Sequence, residues 1–154
     1  MDELFMEADR LSDVGRHKKA LTLFLKLAEN GNIGAMTRLG IIYCEELGTE
    51  IDYEESIKWD LRAIEAGDIV AMENLALTFC RQREFRKARY WFERAVSAGD
   101  GDAALELARL LHVSDHEKDN VLRFLNIAIN SSSITPDSRE KAEVLRSLLE
   151  HGIE

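Results

Sequence analysis

The sequence predicts an all-α repeat fold: stacked antiparallel helix pairs, about four of them, closed by a C-terminal capping helix. Three observations predict it. Short Gly-[Asn/Asp]-x-x-Ala strings recur at Gly31–Ala35, Gly67–Ala71 and Gly99–Ala103, their glycines 36 and then 32 residues apart. A fixed period of this length marks a repeat architecture. Apolar residues keep helical spacing on both sides of each string. There are nine glycines and one proline, Pro136, so the chain has few helix breakers.

The elements follow in order. After each alanine come Leu39, Leu75 and Leu107 at +4, then Gly40, Ala76 and Ala108 at +5, then Tyr43, Phe79 and Leu111 at +8. Large residues at i, i+4 and i+8 with a small one between them describe a helix face that a neighbouring helix can approach closely. Eight residues before each glycine stand Leu23, Trp59 and Trp91, with Ala20, Ser56 and Ala88 three further back. Five before it stand Lys26, Arg62 and Arg94, cations at a helix C-terminus where the dipole favours them. The glycine itself reads as the left-handed residue that ends the helix.

Four units of two helices each are expected at about 1–31, 32–67, 68–99 and 100–133, forming one repeat domain over 1–154. The leading helix of the first unit, Leu4 to Ser12, matches weakly. The fourth copy keeps Val121 and Phe124 but ends on Asn130-Ser131-Ser132-Ser133 without a glycine. Asp52 with Glu55 three later is a capping-box-like start. Thr135-Pro136 opens a last helix, Asp137 to Glu150, whose apolar face carries Ala142, Leu145, Leu148 and Leu149. A solenoid end needs such a helix, because an open last repeat would expose apolar surface.

These residues resemble the Sel-one-like repeat (SLR), a relative of the tetratricopeptide repeat. Residues 35–67 supply Ala35, Leu39, Gly40, Tyr43, Gly48, Asp52, Trp59, Ala63 and Gly67 in the family's order. Residues 71–99 supply Ala71, Leu75, Lys87, Ala88, Trp91, Ala95 and Gly99. Phe79 to Trp91 spans 12 residues where Tyr43 to Trp59 spans 16, so the second copy lacks the family's glycine-containing loop and its Asp. The resemblance implies a right-handed α-solenoid used as a protein-binding scaffold, without catalysis or cofactor.

The bulk charge agrees with that use. Twenty-nine acids against 20 bases give a net charge of −9. Such a field repels phosphate, which argues against nucleic acid as a partner, and steers a basic protein inward. Two cysteines, Cys44 and Cys80, make no disulfide framework and read as reduced thiols of a cytoplasmic chain. The acidic start Met1-Asp2-Glu3 lacks a signal-peptide core, and no apolar run approaches the ~18 residues a membrane helix needs.

Candidate chemistry is sparse. His112 and His116 have metal-binding spacing, but Val113-Ser114-Asp115 between them reads as a turn, so no metal site is expected. The acidic run Glu45, Glu46, Glu50, Asp52, Glu54 and Glu55 lacks the ligand spacing of a calcium loop. Arg81, Arg83, Arg86, Lys87 and Arg89 lie close to Phe85, Tyr90 and Trp91, a mixture that could stack bases, yet the repeat already assigns Trp91 a packing position. No enzyme is expected.

What the repeat leaves unassigned is a row on the first helices: Thr37, Ile41 and Glu45; Glu73, Leu77 and Arg81; Leu105, Arg109 and His112. Asp9, Asp13 and His17 would extend it. Apolar residues rimmed by charge on a concave face mark a binding site. Ile41, Leu77 and Leu105 could instead complete packing between adjacent first helices. The expected function is a non-enzymatic module that binds a partner protein or peptide, a basic one being favoured by the net charge. Alternatives are an immunity-type protein that neutralises a basic toxin and a regulatory subunit of an enzyme complex.

Overall fold

The computed structural model describes residues 3–114 and 118–152. Among them are nine α-helices and no strand. They are α1 (Glu3–Asp13), α2 (His17–Glu29), α3 (Ile33–Cys44), α4 (Tyr53–Glu65), α5 (Val70–Arg81), α6 (Phe85–Ser97), α7 (Gly101–Ser114), α8 (Lys118–Asn130) and α9 (Pro136–His151). The chain divides into two compact units, Met1–Arg81 and Gln82–Glu154.

In the first unit each helix packs on the next, from α1 through α5, and α3 also packs on α5. This is the stacking of a repeat array, in which alternate helices meet as neighbours. The core holds Phe24, Leu27, Leu39, Ile42, Trp59 and the interleaved alanines. Phe5 meets Phe24 edge to face, 5.7 Å between ring centres. In the second unit α6 packs on α7, α7 on α8, α8 on α9, and α7 on α9. Phe92, Leu107, Leu111, Val121 and Leu125 are fully buried there.

The helix ends form as their residues dictate. Gly31, Gly67 and Gly99 have φ of 85°, 95° and 98°, the left-handed stop that a Cβ disfavours. Asp52 caps α4, its carboxylate accepting the Glu54 and Glu55 N–H groups at 3.1 and 3.0 Å. Asp52→Ala is expected to cost about 1 kcal/mol. An unshifted thermal midpoint would remove this cap from the stabilising features. Thr135 caps α9 ahead of Pro136, accepting the Ser138 N–H.

The missing glycine after α8 has a replacement. Arg139 reaches back from α9 and donates to the Ile129 carbonyl at 2.6 Å and the Ser131 carbonyl at 2.8 Å. A guanidinium satisfies two orphan carbonyls that a glycine turn would otherwise have tied back. The Ser133 hydroxyl donates to the Gly99 carbonyl at 2.7 Å and accepts the Gly101 N–H at 2.9 Å, fixing the turn before α7 to the turn before α9.

Two sequence-based details shift. α7 continues through Ser114, so Val113 and Ser114 are helical rather than part of a turn. His116 lies outside the described residues. His17 opens α2 instead of extending the α1 row.

Candidate partner-binding face

The predicted row separates into buried and exposed members. Thr37 is buried, and its hydroxyl donates to the Asp68 carboxylate at 2.5 Å, tying α3 to the turn before α5. Leu105 is 2% exposed. Both positions face a neighbouring first helix, because α3 packs on α5 and α7 packs on α9.

In the first unit Ile41 and Leu77 are half-buried and line a narrow cleft between α3 and α5. Its volume is about 40 Å³, and Gly40, Cys44, Asn74 and Thr78 complete its wall. Glu45 and Arg81 close one end as an ion pair at 2.8 Å. Both are nearly half exposed, so the pair contributes about 0–1 kcal/mol. Glu73 lies half-buried on α5. Asp9 of α1 pairs with Arg38 of α3 at 3.0 Å, and Asp13 is exposed at the end of α1.

In the second unit Arg109 is exposed and pairs with Glu106 at 3.0 Å on its own helix. His112 is exposed one turn further along. Leu105 and Arg109 line a larger cleft of about 570 Å³. Its other wall is α9, with Val144, Leu145 and Leu148 as floor and Asp137, Glu140 and Lys141 as rim. The sequence assigned those leucines to packing alone. Val144 at 54% and Leu148 at 38% exposure show that part of this face stays open.

Beneath the first cleft runs a polar seam. The Ser56 hydroxyl donates to the Gly40 carbonyl at 2.9 Å and lies 3.2 Å from the Thr78 hydroxyl, which in turn lies 3.4 Å from Cys44 Sγ. Asp60, one turn after Ser56 on α4, is 0% exposed, and neither carboxyl oxygen has a hydrogen-bond partner. It sits directly over Gly40, where an added Cβ would come 2.0 Å from Asp60 Oδ1. Burial, and then the charge of Asp68, push its carboxyl up to about 8. Asp60 is therefore a neutral acid at pH 7.

The repeat phase could have flagged this residue. It follows Trp59 as Phe24 follows Leu23, Phe92 follows Trp91 and Leu125 follows Phe124, and those three are all fully buried. An acid in that series occupies a core position.

No cluster of three or more His, Cys, Asp or Glu side chains suited to a metal is present among the described residues. Cys44 and Cys80 are not joined in a disulfide. No described helix is long and apolar enough to cross a membrane.

Known proteins resemble the chain in family and in fold. The family described as Sel1 repeat matches residues 12–32, 33–68 and 70–100. A Sel1 repeat protein from Oxalobacter formigenes superposes with a TM-score of 0.73 at 23% identity, over 97% of this chain and 63% of that one. A protective antigen present in uropathogenic Escherichia coli strains, displaying an SLR fold, superposes with a TM-score of 0.69 at 24% identity, over 88% of this chain and 29% of that one. The chain thus spans less than two thirds of either structure. No curated protein matches it in sequence. Three consecutive matches that together cover more than half of the chain leave one assignment: the chain belongs to the Sel1 repeat family, whose fold is a scaffold for protein–protein interaction and is generally non-enzymatic.

Proposed function

We propose that the chain is a cytoplasmic, non-enzymatic capture module that holds a partner protein or peptide on its first helices. The observation that supports this most is the pair of clefts beside the unassigned row. Each has an apolar wall and a charged rim, formed by Ile41, Leu77, Glu45 and Arg81 in one unit and by Leu105, Val144, Leu148 and Arg109 in the other. Apolar centres with polar rims are the usual anatomy of a specific interface. The net charge of −9 favours a basic partner through long-range steering, which salt would weaken.

Affinity capture from the native source, with identification of the bound protein, tests this reading. Arg81→Glu and Arg109→Glu are each expected to weaken capture by about tenfold, the loss of one rim contact. Neither should unfold the protein, since both side chains are exposed and make only surface ion pairs. Undiminished capture by both variants places binding away from these clefts.

A further inference from the structure

One surface of the second unit runs against the charge of the whole chain. Between Arg83 and Arg94 five cations face two acids, a net of +3 in a chain whose total is −9. Four of those cations lie on α6. Arg86, Arg89 and Tyr90 stand at i, i+3 and i+4, which places them side by side on one face of the helix. Arg86 and Arg89 are exposed, and Tyr90 is 55% exposed. The opposite side of α6, through Ala88, Phe92 and Ala95, is buried. The basic side is therefore the one the fold leaves free.

Its cations differ in what they already hold. Lys87 pairs with Glu84 and Arg89 with Glu93, both along the helix surface. Arg94 stacks over Trp91, 4.8 Å from the ring centre, and also lies 5.9 Å from the Tyr90 ring. No ion pair involves Arg83 or Arg86 among the described residues. Exposed pairs at i, i+3 or i, i+4 are weak, so incoming carboxylates can compete for Lys87 and Arg89. An incoming acid also finds Arg86 with a free guanidinium fork.

We infer that the outward face of α6 is a second docking surface, one that takes an acidic segment of a partner polypeptide. The charge of the face selects an anionic occupant. The state of its aromatics selects polypeptide over single-stranded nucleic acid. Base stacking needs open ring faces, yet Arg94 already covers one face of Trp91, and Tyr90 meets Trp91 edge-on at 5.4 Å between centres. Carboxylates need only the guanidinium forks and the flank of Tyr90. This surface shares no residue with the clefts lined by Ile41 and Leu77 or by Leu105 and Arg109, so one can fail without the other.

The test uses the full chain and two labelled probes in fluorescence anisotropy at low salt: a Glu/Asp-rich peptide of ten residues and a uridine decanucleotide. The expected result is saturable binding of the peptide, weakening by about tenfold or more when salt is raised from ~50 to ~300 mM. The nucleotide should bind markedly less well. Arg86→Glu with Arg89→Glu is expected to lower peptide affinity by about tenfold or more while the helical circular dichroism is retained. Should that double variant not fold, Arg86→Gln supplies the same reading at about threefold. Failure of the peptide to bind at low salt overturns the inference, and so does binding that both variants leave unchanged. Equal or tighter binding of the nucleotide also overturns it and makes the surface a nucleic-acid site.

Discussion

Asp60→Asn is expected to flatten the pH dependence of stability of the first unit between about pH 4 and pH 8. The folded carboxyl titrates at about 8, against an ordinary value of 3.8. Between those values the folded protein holds a proton that the unfolded chain has released. Stability is therefore full below pH 4 and falls as pH rises, at about 1.4 kcal/mol per pH unit for this group alone. It levels off above pH 8, where both states are ionised. At pH 7 the accumulated loss is on the order of 4 kcal/mol as an upper bound. Asparagine keeps the shape and carries no proton to lose. The wild-type and variant stabilities should meet near pH 4 and diverge steadily above it. Urea unfolding from pH 4.5 to 8.5, followed through the adjacent Trp59, measures both. Parallel curves would show that Asp60 finds a partner or water in solution and titrates normally.

Gly48→Ala carries the other large effect, and its cause is steric. Gly48 has φ of 92°, and an added Cβ would stand 2.6 Å from the His17 carbonyl carbon and 2.8 Å from the Lys18 nitrogen. Those are backbone atoms at the start of α2, which cannot swing aside as a side chain can. The left-handed conformation costs an L-residue about 1 kcal/mol, and the overlap adds about 1–3 kcal/mol. A total near 3 kcal/mol is expected in chemical denaturation. Gly67→Ala separates the two causes. Gly67 has φ of 95° but nothing within 4 Å of its missing Cβ, so only the conformational part, about 1 kcal/mol, applies. Equal losses in the two variants would mean that the loop between α3 and α4 lifts off α2 without cost.

The helices and their ends were legible because they depend on local chemistry. Asp52, Thr135 and the three repeat glycines act on backbone groups within four residues, and each stands where its type predicts. The binding row was only partly legible. Thr37 and Leu105 share a helix face with exposed residues, and what buries them comes from the turn before α5 or from α9, more than 25 residues away in sequence. A helical wheel drawn on one helix cannot register that neighbour. Arg139 was missed for the same reason, since its partners are carbonyls left bare by a different helix. Asp60 is the instructive case. Alone it reads as a surface acid beside Trp59, whereas aligned with Phe24, Phe92 and Leu125 it reads as a core position. The information was in the repeat register and not in the residue.

The seam that joins Ser56, Thr78 and Cys44 has a kinetic consequence. Cys44 is 5% exposed, and its sulfur accepts the Thr78 hydroxyl. Burial keeps a thiol reagent from most of the sulfur in the closed structure. Modification waits for a local opening that exposes the sulfur, so at saturating reagent the labelling rate of Cys44 equals the rate of that opening. The thiol is a built-in clock for local opening of the first unit. An occupant that spans α3 and α5 would slow the clock by binding, and the slowing would report its presence before its identity is known.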